Sequence, residues 1–180
     1  MDNLIWKAKP SQIINLKTFF FVLLMFLIVL FGLKILTLYI IRPTLKEFHL
    51  KSYVNDIVFY FEVIYYSFLF IVLLIPILQV IFTNYELTDE RLMVSSGILV
   101  RVREELELYR VKDYRVIEPL YLRLFGLSNI ELITSDRTTH IVYLKAISNG
   151  HKLAYMIRDN VEKMRVSRGV REIDSDRYTG

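Results

Sequence analysis

The sequence predicts an α+β membrane protein, in which a transmembrane hairpin of two helices precedes an antiparallel β-sheet or barrel capped by a C-terminal α-helix. The first observation behind this prediction is a pair of long apolar stretches, residues 19–41 and 57–82. The second is a series of short alternating segments that begins after Thr83. The third is a final stretch whose apolar residues follow helical spacing.

Each apolar stretch is long enough to cross a membrane as a helix. A helix rises about 1.5 Å per residue, and the hydrocarbon core is about 30 Å thick. Two buried core helices are the alternative, but in a chain with 54% hydrophobic residues the remainder cannot supply a soluble shell. The first stretch is longer than a signal-peptide core and has no Ala-x-Ala-like site after it, so we expect it to remain as an anchor.

The cations near the spans predict the topology. Two spans place both termini on one side of the membrane. Five cations lie on that side and three lie in the link of residues 42–56, which favours cytoplasmic termini by the positive-inside rule. The two sets are Lys7, Lys9, Lys17, Arg91 and Arg101 against Arg42, Lys46 and Lys51.

Residues 83–180 are nearly neutral, with 16 lysine and arginine residues against 15 acidic ones and a formal charge of +1. A nucleic-acid-binding domain usually concentrates cations, so we expect no nucleic-acid partner. The chain has no cysteine, which excludes disulfides and thiolate metal sites.

The hydrophilic half predicts antiparallel strands followed by one amphipathic helix. Candidate strands are residues 85–87, 92–94, 98–103, 112–118, 129–134 and 139–144. Ser96-Gly97 and residues 135–138 are expected hairpin turns. Helical spacing follows Ser148 or Asn149, either of which is a suitable N-cap, and it joins Leu153, Met156, Ile157, Val161 and Met164.

Several segments of the chain carry a family resemblance. They are IWKAKPSQ before the first span, then YELTDERLMVSSGIL, LELYRVKDYRVIEP, LRLFGLSNIELIT and LKAISNGHKLAYMI after the second. Over about residues 4–165 the chain resembles the membrane-flanked bacterial pleckstrin-homology-like (YdbS-like) family. The resemblance implies a strongly bent antiparallel sheet capped by the C-terminal helix. It also implies a multi-pass protein of the bacterial inner membrane with both termini cytoplasmic.

The expected organisation therefore has four parts. An N-terminal segment covers residues 1–18, the two-span hairpin covers 19–82, and the cytoplasmic pleckstrin-homology-like domain covers 83–166. Residues 167–180 mix charges with Gly, Ser and Asp and are expected to form a loose tail.

The segment LYLRLFGL, which begins at Leu120, is unusually apolar for a connection between strands. In one interpretation it is a short helical or bent connection whose side chains belong to the core, and Gly126 permits the turn into the next strand. In the other, part of it is an exposed patch that faces the bilayer or a partner. That patch consists of Leu120, Tyr121, Leu122 and Phe125.

Four charged residues are further candidates for a site. Lys34 and Glu62 lie inside the spans at similar depth, so they either form an intramembrane ion pair or extend separately to the interface. Arg101 and Arg103 share one face of a predicted strand and either contact lipid headgroups or are simply solvated. Residues 88–91 carry two acids and one cation, so the resemblance does not extend to a phosphoinositide pocket.

The sequence contains no pattern typical of catalysis. His49, His140 and His151 lack metal-ligand spacing, and no phosphate loop, dinucleotide fingerprint or Gly-x-Ser-x-Gly elbow is present. We therefore expect no enzyme activity, no metal and no cofactor.

The predicted function is that of a non-catalytic scaffold at the lipid bilayer. It presents the pleckstrin-homology-like domain for self-assembly as a homo-oligomer or for binding a partner membrane protein. The resemblance suggests an envelope or stress and defence role. The alternative is a subunit of an oligomeric transporter or channel, because charges inside a membrane often have a function.

Overall fold

The computed structural model describes residues 3–41, 51–136 and 139–169. The elements in chain order are β1 (Leu4–Ala8), α1 (Leu16–Leu36), α2 (Lys51–Ile81), β2 (Asn84–Thr88), β3 (Arg91–Ser96), β4 (Val102–Glu107), β5 (Val111–Ile117), α3 (Leu120–Arg123), β6 (Leu127–Thr134), β7 (Ile141–Ser148) and α4 (Gly150–Ser167). Short 3-10 turns precede α1 (Gln12–Asn15) and β5 (Leu108–Arg110), and a π-helical turn (Thr37–Ile41) follows α1.

Parts of three predicted segments lie outside the described residues. They are residues 42–50 of the inter-span link, including Arg42, Lys46 and His49, then Arg137 and Thr138 of the predicted hairpin turn, and residues 170–180 of the predicted tail.

The chain divides into two compact units. The helical unit, Asn15–Leu78, contains α1 and most of α2. The β unit combines Met1–Ile14 with Gln79–Gly180. The helical unit is therefore inserted in the chain between β1 and β2, the first two strands of one sheet.

The helical unit consists of two helices whose side chains are mostly exposed. Two helical segments, Gln12–Tyr39 and Asp56–Ile81, are long and apolar enough to cross a membrane by length and composition. The Tyr65 hydroxyl donates to the Met25 carbonyl at 3.0 Å, and the rings of Phe26 and Tyr66 have centroids 5.3 Å apart. These contacts join α1 to α2.

The β unit contains antiparallel strands and the C-terminal helix α4, as the sequence predicted, but the strands form two sheets rather than one. One sheet has the order β1-β2-β3-β4 and the other β5-β6-β7. The two sheets and the helix share one core, because a fully buried side chain comes from each of the central strands and from α4. Examples are Leu87, Leu92, Ile130, Leu144 and Ile157.

Strand β1 is an element that the sequence analysis did not assign. It pairs with β2, and Trp6 stands opposite Leu87 and packs against the shared core. The next residue, Lys7, stands opposite Glu86, and its ammonium lies 2.7 Å from the carboxylate. The hydrogen bond from Lys7 lowers the pKa of Glu86. Strand β1 therefore has an apolar contact on one face and an ion pair on the other.

The predicted strand 98–103 is wrong in its first half. Strand β4 begins at Val102, and the residues before it form a loop after Gly97, whose φ of +119° is one that glycine adopts readily. Leu99 and Val100 in this loop are 97% and 74% exposed. The alternation of Ile98, Val100 and Val102 with Leu99, Arg101 and Arg103 imitated a half-buried strand, because a period of two cannot distinguish burial from exposure in a short segment.

The start of α4 lies where the helical spacing predicted, and one of the two predicted capping residues is at the N-cap position, but without the expected side-chain bond. Asn149 occupies the N-cap position with φ +53° and makes no side-chain capping hydrogen bond. A left-handed backbone at this residue turns the chain from β7 into the helix, and the first turn remains without a side-chain acceptor.

Replacing Trp6 tests whether β1 is an integral strand. We expect Trp6→Ala to destabilise the β unit by about 2 kcal/mol, less than for a fully buried tryptophan because Trp6 is partly exposed. Leu4→Ala is the matched control in the same strand, since Leu4 is 58% exposed. Hydrogen exchange of the β2 and β3 amides in purified protein measures the change. Equal protection in both variants would contradict the assignment.

Candidate functional site

Helix α3 is a single turn bounded by Pro119 and Gly126. The Pro119 carbonyl accepts hydrogen bonds from the N–H groups of Leu122 and Arg123, both at 2.9 Å. The chain then leaves the turn at Gly126, whose φ of +65° favours glycine. The predicted bent connection and the predicted role of Gly126 are thus confirmed.

The turn separates its apolar side chains into a buried and an exposed group. Leu122 is fully buried, whereas Leu120, Leu124 and Phe125 are 65%, 75% and 55% exposed. The Leu124 N–H donates to the Leu120 carbonyl at 3.1 Å, which places these two leucines on one side of the turn. We refer to Leu120, Leu124 and Phe125 as the α3 patch.

The α3 patch differs from the predicted one at three positions. Leu122 is not part of it, because helical geometry turns this side chain towards the β unit. Leu124 is exposed and belongs to it, and its spacing of four residues from Leu120 is the signal that would have identified it. Tyr121 is half-buried and lies at the edge between the two groups.

A small cluster under α3 joins it to the segment that precedes α1. Its buried members are Leu122, Leu127 and Ala146, and Ile13, Ile14 and Tyr121 pack against them. The Ser11 N–H donates to the Ala146 carbonyl at 3.0 Å. Ile14 is the last residue of the β unit before the helical unit. The cluster therefore fixes the α3 turn, through Leu122 and Tyr121, to the segment that precedes α1.

The loop between β3 and β4 exposes a second apolar surface. Leu99 and Val100 are at its tip, and exposed Arg101 follows them. Arg103 lies inside β4, where its guanidinium is 3.4 Å from the Glu105 carboxylate. The two arginines predicted to contact headgroups therefore differ: Arg101 extends from an apolar loop, whereas Arg103 is in an ion pair.

Lys34 and Glu62 lie on different helices of the helical unit. Lys34 is in the last turn of α1 and is exposed, while Glu62 is in α2 and is half-buried. Both belong to the described part of the chain, where no ion pair joins them; pairing and separate extension to the interface were the two alternatives.

A polar network fixes the end of α4 to the connection between β4 and β5. The Tyr109 hydroxyl donates to the Glu107 carboxylate at 2.7 Å, and the Arg110 guanidinium lies 3.0 Å from the same group. Arg168, just after α4, lies over the Tyr109 ring at 4.8 Å. The hydrogen bond from Tyr109 and the nearby arginines lower the pKa of Glu107. We call these four residues, Glu107, Tyr109, Arg110 and Arg168, the latch. The sequence did not predict it.

Among the described residues, His140, His151 and the acidic residues of β4 show no metal-binding arrangement. Within residues 3–41, 51–136 and 139–169, no group of three or more His, Asp or Glu side chains could hold a metal ion. His151 Nε2 lies 3.0 Å from Glu118, and Glu105 pairs with Arg91 at 3.3 Å as well as with Arg103.

Comparison with known proteins identifies one matching family. The family model described as bacterial PH domain matches residues 12–167, so strand β1 lies outside the matched range. Comparisons with curated proteins and with solved structures gave no match.

Replacing Tyr109 tests the latch through the pH dependence of stability. The pKa of Glu107 is lower in the folded state than in the unfolded state. The stability that Glu107 contributes is therefore present above the unfolded pKa and is lost as pH falls through the folded pKa. We expect Tyr109→Phe to lower the melting temperature near pH 6. The difference in melting temperature between the variant and the native protein should become smaller towards about pH 3. Thermal unfolding of both proteins across this range measures it. A difference that is constant with pH would contradict the role of Glu107.

Proposed function

Because the chain belongs to the bacterial PH domain family, we propose that it is a non-catalytic integral membrane protein that holds its PH-like domain at the bilayer. The domain serves self-assembly or the binding of a partner membrane protein, in an envelope or stress and defence role. The cellular compartment in this proposal is the bacterial inner membrane, with both termini in the cytoplasm.

The insertion of the helical unit between β1 and β2 is the observation that carries the proposal. A helical anchor that precedes a domain in the sequence would be connected to it by a single chain segment. Here the chain leaves the β unit after Ile14 and returns at Gln79, so the domain has two attachments to the helices. Two attachments restrict the domain more than one flexible linker does, which suits a module that must keep one orientation at a surface.

The exposed apolar surface of the helices supports a membrane environment. Many large side chains along α1 and α2 are more than half exposed, among them Phe20, Phe31, Ile64, Phe68 and Phe70. Soluble proteins rarely expose contiguous apolar surfaces beyond a few hundred Å². A hydrocarbon phase or further chains would cover these side chains.

The α3 patch supports a role in assembly. Leu122 and Tyr121 of the same turn belong to the cluster that includes Ile13 and Ile14, so the turn is held by its buried side while the three side chains of the patch stay exposed. Exposed apolar side chains on a turn that is fixed from beneath are suited to contact with a partner protein. The Leu99–Val100 loop offers a second apolar contact with Arg101 beside it.

A transporter or channel subunit is the second candidate function. The observation that favours it is that Lys34 and Glu62 do not pair with each other, since charges within spans commonly serve transport. Two helices cannot enclose a pathway, so this function requires an oligomer.

Mass measurement tests the proposed assembly. We expect protein extracted in mild detergent to have more than the mass of one 21.4 kDa chain, or to retain a partner. Replacing Leu120, Leu124 and Phe125 together by serine should reduce that mass, because the α3 patch loses its apolar contact. Val166→Ser is the matched control, since Val166 is 84% exposed in α4 outside the patch. A native monomer that retains no partner would contradict the proposal.

Cysteine labelling tests the topology, and the chain has no native cysteine to interfere. We expect Ser135→Cys and Ser167→Cys to resist an impermeant thiol reagent in intact cells and to react after lysis. Thr44→Cys, in the link between the helices, should react in intact cells because two spans place it on the other side. The reverse pattern would overturn cytoplasmic termini, and protection of all three before lysis would argue against crossing.

A further inference from the structure

A polar cleft lies at the start of α4, within the β unit. Its volume is about 340 Å³, and it is lined by residues from the end of β5, α3, the start of β6 and the first turn of α4. The lining residues that carry polar or charged side chains are Glu118, Arg123, Ser128, Asn149, His151 and Lys152. The cleft is separate from the α3 patch, although Arg123 belongs to the same turn.

The helix end at this cleft lacks a side-chain cap. Asn149 makes no capping hydrogen bond, so its side chain does not accept from the N–H groups of the first turn. α4 has 18 residues, and the partial positive charge at its N-terminus attracts anions. Helix N-termini of this kind are common, so whether this one binds an anion depends on the residues around it.

Ser128 supplies an independent indication of a ligand. Its side chain is 2% exposed, and its hydroxyl has no hydrogen-bond partner. A Cβ at Gly150 would overlap the Ser128 Oγ, so the hydroxyl lies directly against the first residue of α4. The Cα–Cβ bond of a helical residue tilts towards the helix N-terminus. The Ser128 hydroxyl occupies the place where a Cβ of Gly150 would lie, so it is on the cleft side of the first turn. A buried hydroxyl without a partner destabilises a protein unless a ligand or water satisfies it.

The charged side chains at the cleft leave an excess of cations. Arg123 and Lys152 are exposed, and within the described part of the chain neither forms an ion pair. Glu118 is the one carboxylate among the lining residues, and it lies 3.0 Å from the ring of His151. An incoming anion would therefore meet two unneutralised cations and a carboxylate that already has a partner.

We propose that this cleft binds a phosphate group. Phosphate offers several acceptor oxygens, which match N–H groups from the first turn of α4, the Ser128 hydroxyl and the planar guanidinium of Arg123. Lys152 adds a second charge. The absence of a side chain at Gly150 lets the Ser128 hydroxyl reach this position.

The phosphate has two possible sources, a free phosphorylated molecule or the headgroup of an anionic lipid. Arg123 connects the cleft to α3, whose exposed leucines are suited to an apolar phase. The lipid source rests on the proposed membrane function, whereas binding of free phosphate does not. A failure of the topology test would therefore leave the inorganic phosphate result unaffected.

The experiment uses the purified full-length protein in an uncharged detergent. Inorganic phosphate is titrated against sodium chloride at equal ionic strength, and phosphatidylglycerol is titrated against phosphatidylcholine, with the melting temperature as readout. Equal ionic strength removes general screening. Stabilisation by inorganic phosphate indicates a free phosphate group, and stabilisation by phosphatidylglycerol alone indicates a lipid headgroup. If neither ligand raises the melting temperature above its control, the proposal is wrong.

Matched variants assign any binding to the cleft. We expect Arg123→Gln and Lys152→Gln each to weaken binding by about fivefold, and Lys145→Gln, which removes an equal charge outside the cleft, to bind as the native protein does. Ser128→Ala should weaken binding without lowering the melting temperature of the unliganded protein, because the lost hydroxyl had no partner in the fold. Native affinity in the Arg123, Lys152 and Ser128 variants, or equal loss in Lys145→Gln, would overturn the proposal.

Discussion

The pairing of β1 with β2 closes the first sheet across the entire helical insertion, and the rest of the β unit depends on it. The entropy of closing a loop grows only slowly with its length, so a long insertion between paired strands is thermodynamically tolerable. The pairing is stabilised by Trp6 against the shared core and by Lys7 with Glu86 on the other face. Because of this pairing, the helical unit is connected to the β unit by two chain segments rather than by one.

The distribution of leucines explains why the β unit needs all of its layers. Leu87 and Leu92 come from one sheet, Leu132 and Leu144 from the other, and all four are fully buried against one another and α4. Neither sheet could cover its own apolar face alone. The side chains of the α3 patch and of the loop at Leu99 are exposed and do not belong to this core.

The two ends of α4 differ in their chemistry. Near its C-terminus, the Arg165 guanidinium donates to the Val111 carbonyl at 2.8 Å and Arg168 lies close to Glu107. Cations at this end complement the helix dipole and are matched by acceptors. At the N-terminus, Arg123 and Lys152 face the cleft without a carboxylate of their own. The helix is thus fixed by polar contacts at one end and open to an anion at the other.

The sequence by itself determined the elements whose signals are local. Two long apolar stretches predicted α1 and α2, alternation and turn residues predicted most strands, and the spacing from Leu153 to Met164 predicted α4. The glycine-ended turn after Leu120 was likewise readable, since a short apolar run before Gly126 has few other conformations. These properties depend on neighbouring residues, so they need no knowledge of distant contacts.

Only the tertiary structure decided which of these residues meet. It recruited Leu4–Ala8 into the first sheet, because a five-residue strand gains its stability from a partner beyond the helical unit. It buried Leu122 and exposed Leu124, since the direction of a single helical turn is fixed by the cluster beneath it. It also brought Ser128 against Gly150. The sequence pattern could not show that contact, because burial of one hydroxyl depends on the packing of two distant segments.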